Sequence, residues 1–297
     1  MSMSSSSRAA RRSPSSASDE PWSTTPLYRW GSMRYCGIDV SAKPGNQQLV
    51  TLHERRATDR TVELVTTFYA PGDVDAVVRT VLGFGRGEVV VAIDAPVGPR
   101  LDLLAAGEPL REQLALPTGR YERSRVCDAL LFQRKLPLYP VPAVGQALAQ
   151  WETWMTQGFA LFDALTDLGI YRPPAHGRVM APVGDGAVQH GRVVETYPDA
   201  VFCALLGHRP SPKRTPWGLQ QRIAALKLRG VVDADGGLWH RTLDELDACA
   251  AAYAAYTLAT GAGSWVGDPR EGVILLPVPE LADSYEKLPP PERAALA

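Results

Sequence analysis

Cysteine is scarce: four in 297 residues, at 36, 127, 203 and 249, with no CxxC and no Cys/His spacing. A disulfide framework and a zinc site are therefore excluded as organising elements, and the four read as reduced thiols of a cytoplasmic protein. Net charge is nearly missing too. The 31 Lys and Arg against 32 Asp and Glu leave −1, so any attraction for nucleic acid has to come from a local basic patch. No apolar run reaches the roughly 18–20 residues that span a bilayer, and no membrane association is expected. Arg11-Arg12 is not followed by the apolar stretch of a secretion signal. The glycine-rich "APVGDGAVQHG" (181–191) lacks both the phosphate-loop lysine and a GxGxxG pattern, and reads as a loop. Ser41 has no GxSxG around it. His176, His190, His208 and His240 are scattered, without metal-ligand spacing.

What remains is a chain with 45% hydrophobic residues, enough for a full core. Residues 1–32, rich in Ser, Arg and Pro, are expected to be a disordered tail. One domain is expected over 33–280, and 281–297 should form a polar tail. Strand character is strong at 34–40, 48–52 and 61–69. Asp73 then caps a helix in which Val74, Val77, Val78, Val81 and Leu82 share a face. "EVVVAIDAP" (88–96) has the continuous apolar run of a strand covered on both sides. Residues 97–185, with helices expected at 143–156 and 158–168, read as an insertion. A strand at 191–198, helices at 219–230 and 242–261, and a last strand at 271–279 complete the pattern.

Carboxylates stand at the ends of several of these elements: Asp39, Asp94, Glu195, and Asp244 with Asp247 near the start of the long Ala-rich helix. Each has an ordinary structural reading. Asp39 caps a strand, Glu195 pairs with Arg192, and Asp244 complements a helix dipole. Adjacent parallel strands would place Asp39 and Asp94 side by side at their C-terminal ends, where open α/β sheets bind ligands. Converging carboxylates repel one another, and hard divalent cations relieve that repulsion. Two such ions can drive phosphodiester hydrolysis.

The segments "GIDVS", "VVVAIDAPVG", "ERSRVCD", "VVETYPDAVF", "PKRTPWGLQQRIAAL", "LDELDACAAAYAA" and "GDPREGVILLP" together resemble domain-of-unknown-function family 429. That family is described as predicted RNase H-like nucleases, and the likeness runs from about 33 to 278. It implies an α/β fold with an RNase H-like mixed five-stranded sheet, the first three strands antiparallel and the rest parallel, flanked by helices. It also implies a catalytic, metal-binding acid set of Asp39, Asp94, Glu195 and Asp247, with Asp244 as a helper and Mg²⁺ or Mn²⁺ as cofactor. Glu245, between the two helix acids, departs from the further Asp expected in many relatives.

Two basic stretches could hold phosphates: Arg123 and Arg125 in 119–135, and Lys213 and Arg214 in "HRPSPKRTPWG", which also carries Arg209 and Trp217. Asp128 is expected to pair with Arg125, while Lys213 and Arg214 could equally neutralise nearby acids. A metal-dependent nuclease is the leading expectation. A non-catalytic nucleic-acid- or protein-binding domain is the alternative. An actin-like ATPase or sugar-kinase phosphotransferase ranks third, since only one copy of the core and no late adenosine segment are present.

Overall fold

Tyr35 on one face and Cys36 and Ile38 on the other build the first strand, β1 (Arg34–Asp39), which is covered on both sides and pairs antiparallel with β2 (Gln47–Arg56). β3 (Val62–Gly72) continues the meander. Asp73 then starts α1 (Val74–Gly83), its Oδ1 accepting from the Ala76 amide at 2.8 Å, and Val77 and Val81 are buried. The crossover returns the chain as β4 (Val89–Asp94), parallel to β1 with Asp39 in register with Asp94. The computed structural model describes residues 33–288 except 44, 58, 60, 150–151 and 175–178. The tail expected at 1–32, residues 289–297 and His176 lie outside the described residues.

Among the described residues the sheet has nine strands rather than five. Beyond β4 come β5 (Met180–Pro182), β6 (Val193–Thr196), β7 (Val231–Asp233), β8 (Ser264–Asp268) and β9 (Gly272–Leu276), in the spatial order β5-β8-β9-β6-β4-β1-β2-β3-β7. The middle of it, β3-β2-β1-β4-β6, has the expected antiparallel start and parallel continuation. The extra strands β5, β7 and β8 are three to five residues long, too short to register as a hydrophobic alternation in the sequence.

Helices α2 (Pro109–Gln113), α3 (Val126–Gln133) and α4 (Thr153–Ala164) lie in the region read as an insertion. Helix is absent from 143–149, where 143–156 was expected to be helical. There Pro142 precedes a turn in which the Ala143 amide donates to Gln146 Oε1 at 3.1 Å. α5 (Pro198–Leu206) follows directly on β6, with Pro198 in its first turn, a start signal that the strand-like "VVETYP" concealed. α6 (Pro216–Lys227) begins at the Thr215 cap, and α7 (Leu243–Ala259) at a capping box. Glu245 is the acid of that box, donated to by the Thr242 amide at 2.7 Å, which accounts for Glu at this position.

α7 packs on β1, β2 and β4, with α5 and α6 beside it; α1 and α4 cover the opposite side, and α3 rests on β8 and β9. Along β4 the alternation is explicit. Val90 and Ala92 face the α7 core, while Val89, Val91 and Ile93 face the α1/α4 core. Residues 281–288, expected to be polar tail, are tied down: Tyr285 is buried and its amide donates to Arg134 O at 3.0 Å, and Glu286 pairs with Lys135.

Candidate acidic active site

Gly37 decides how near α7 comes to the sheet. A Cβ there would lie 2.0 Å from Ala248 O and 2.1 Å from Ala252 N, so only glycine lets the helix backbone rest on β1. Asp39 is two residues on, on the same side of the strand, and Asp247 immediately precedes Ala248 on the helix. Close packing at Gly37 thus brings Asp247 to Asp39. The parallel register brings Asp94 beside both. The turn after Asp39 is pinned by buried Gln47, whose Oε1 accepts from Ser41 N at 2.9 Å and whose Nε2 donates to Ser41 O at 3.1 Å.

The electrostatics of this trio are unbalanced. Burial, then the charges of Asp247 and Asp244, push the Asp39 carboxyl up to about 7. Asp94 is likewise pushed well above the ordinary carboxylate range, by burial and then by the charges of Asp39 and Asp247. Asp247 is also raised by burial, against the lowering effect of Lys213. Lys213 Nζ donates to Asp247 Oδ2 at 2.9 Å, while Asp247 Oδ1 is buried without a hydrogen-bond partner. Asp244, exposed on the first turn of α7, contributes to the field at Asp39 rather than to the contacts.

Glu195 does not join them. It is in register with Ile93, one residue out of phase with Asp94, so strand alternation sends its side chain to the other side of the sheet. There Arg125 grips it, with Nη1 to Oε2 at 2.8 Å and Nη2 to Oε1 at 2.6 Å, and the Val97 amide adds a third bond at 2.9 Å. Arg125 turns its remaining edge to Asp128, with Nε to Oδ2 at 3.0 Å and Nη2 to Oδ1 at 2.9 Å. The expected Arg125–Asp128 pair is therefore present, and Arg125, 1% exposed, is committed to structure rather than offered to phosphate. Glu271, at the β8–β9 turn, anchors the same region by accepting from the Leu101 and Val126 amides at 2.9 and 3.0 Å. Arg192, the other partner considered for Glu195, donates instead to Val89 O at 3.4 Å.

A cleft of about 810 Å³ opens over the acids, lined by Asp94, Asp247, Lys213, Asp199 and Trp154 and also by the Arg125–Glu195 pair. Arg123 is exposed and lines a separate groove with Arg100 and Glu152, and Arg214 is exposed outside both. Asp199 was not singled out by the sequence, although it ends the "ETYPD" run. It sits on the first turn of α5 and accepts from Arg222 Nη2 at 2.8 Å. Tyr139 and Trp154 meet edge to face at 6.0 Å on the opposite wall.

Among the described residues no group of three or more His, Cys, Asp or Glu is already arranged around a metal position. The donors nonetheless suit a hard cation. All are carboxylate oxygens whose mutual repulsion a cation would relieve, and one buried oxygen has no partner among the described residues. Lys213, with 42% of its side chain exposed, now supplies the positive charge and has room to move.

A family model described as "Protein of unknown function (DUF429)" matches residues 37–271. No curated protein and no solved structure matches the chain.

Proposed function

The chain belongs to the DUF429 family, and from that premise and the site we propose a divalent-cation-dependent phosphodiesterase of nucleic acid on an RNase H-like core. The observation that carries the reading is the Asp39–Asp94–Asp247 trio, three carboxyls gathered on one side of the sheet with a single lysine to offset them. The strand order β3-β2-β1-β4-β6, antiparallel then parallel, supports the RNase H-like assignment.

Asp39, Asp94 and Asp247 would hold Mg²⁺ or Mn²⁺, with Asp244 adding negative field. Glu195 leaves the ligand set because both its oxygens are taken. When bound, the cation supplies Lewis-acid activation of water and neutralises phosphate charge. Without it, the Lys213 ammonium serves as the counter-charge to Asp247. Lys213 then turns from Asp247 towards a substrate phosphate at the cleft mouth. Gln47 and Gly37 keep the β1–β2 turn and α7 in place, so the carboxyls are held before any ligand arrives.

The test is incubation of purified protein with labelled single-stranded, duplex and hybrid nucleic acids, with Mg²⁺, Mn²⁺ or chelator. Cleavage should require the cation and fall at least about a hundredfold in Asp39→Asn and Asp94→Asn. Cleavage indifferent to Asp39→Asn, or no turnover with either metal, would overturn the reading.

A further inference from the structure

The acidic cleft does not end at Lys213. A second cleft of about 690 Å³ adjoins it, and Pro137, Tyr197, Asp199 and Lys213 line both. Their charges differ. The first is floored by acids; the second has Arg209, Arg222, Lys213 and Lys287 against the single acid Asp199. Arg222 is buried and committed to Asp199, Ser211 O and Gly218 O at 2.8, 3.0 and 3.2 Å, yet its Nε is left without a partner. Arg209 and Lys287, brought together where the chain near 287 pairs with 209, make no side-chain hydrogen bond or ion pair with a described residue. Trp217 lies on the same wall with 45% of its surface exposed.

We propose that this second cleft is a binding subsite for single-stranded nucleic acid, taking phosphates on Arg209 and Lys287 and stacking a base on Trp217. The proposal rests on the hydrolytic reading of the first cleft, and it names that site's substrate as a strand. Each cleft alone has the volume of a small-molecule site. A lone nucleotide would fill one of them, whereas a strand entering past Lys213 uses both, with one phosphate delivered to the acids and its neighbours among the cations. An indole face accepts any unpaired base, and a paired one is unavailable to it, so the strand is single. Arg209 and Lys287 have little structural work to do here, unlike Arg125, so their charge remains for a ligand.

Binding is measured by fluorescence anisotropy with a labelled oligothymidylate on the full chain in EDTA, where cleavage is switched off. This result and the cleavage result can therefore fail independently. Wild-type protein should prefer the single strand to a duplex of the same length. Arg209→Ala/Lys287→Ala should weaken binding about tenfold and flatten the slope of log K against log salt by about 1.4, the loss of two phosphate contacts. Trp217→Ala should weaken binding while keeping the slope. Arg79→Ala, exposed on α1 and outside both clefts, should change nothing. The proposal is overturned if the double variant binds like wild type, if Arg79→Ala loses as much, if the duplex is preferred, or if no single strand binds.

Discussion

Two clusters of buried acid line the same cleft, their side chains leaving the sheet in opposite directions, and are treated in opposite ways. Around Arg125, the carboxylates of Glu195 and Asp128 receive four hydrogen bonds from one guanidinium, and Glu271 is closed off by two backbone amides. Around Asp39, three carboxyls have one lysine to offset them, and an oxygen of Asp247 has no partner among the described residues. The first arrangement is complete within the chain, and its role is to fasten the segments at 97–101 and 125–128 to the sheet. The second leaves a buried carboxylate oxygen unsatisfied among the described residues. Proximity of acids alone does not distinguish a site from a structural node; unneutralised charge does.

That contrast is sharpest under mutation. Arg125→Ala should cost about 3–5 kcal/mol in chemical denaturation, because two buried carboxylates lose their cation. A cost near zero would mean that the node is dispensable. Gly37→Ala comes next, at about 1–3 kcal/mol, since α7 has to lift off β1; the same variant should weaken Mn²⁺ binding in calorimetry by separating Asp247 from Asp39.

In the acidic cluster the sign reverses. Asp39→Asn should raise stability in chelator at pH 8, by at most about 4 kcal/mol, the free energy of moving a carboxyl from its ordinary range to about 7. Between about pH 4 and pH 7 the folded wild type keeps a proton at Asp39 that the unfolded chain has lost, so its stability declines as pH rises through that window. The Asn variant should lack this slope, and denaturation curves across the window would show it. Loss of stability in Asp39→Asn would erase the distinction between the two clusters.

A conventional ion pair behaves the other way. Asp233 is held low by Arg241, which donates from Nε to Oδ2 at 2.7 Å. Its contribution, about 1 kcal/mol, is present above the ordinary Asp range and lost as pH falls through the lowered value. Asp233→Asn should therefore destabilise at pH 7 and make no difference in strong acid. Smallest of all, removing the exposed Arg86–Asp167 pair should change stability by less than about 0.5 kcal/mol.

Much of the architecture was legible in short motifs. The meander, the Asp73-capped crossover and the β4 strand follow from strand alternation and helix periodicity, which are local signals. The short strands β5, β7 and β8 were not legible, because three to five residues borrow their conformation from neighbours across the sheet. α5 was hidden by the strand that runs straight into it at Pro198. Among the candidate site residues, Asp39, Asp94 and Asp247 are legible as carboxylates ending strands or opening a buried helix, and the fold brings them together. Glu195 had the same local signature and went elsewhere. One residue of phase along β6 separates it from them, and the identity of its partner, Arg125, lies 70 residues away.

By itself the sequence determined which residues could carry chemistry: acids at the ends of apolar strands, a glycine two positions before Asp39, and cations in the 209–214 loop. Tertiary structure decided which of them meet. A carboxylate's place at a strand end is written in its neighbours, but its counter-charge is set by register, by the alternation of side chains and by how closely α7 approaches Gly37. Those are long-range packing outcomes, and they leave Glu195 neutralised by Arg125 and Asp39 among carboxyls that one lysine offsets.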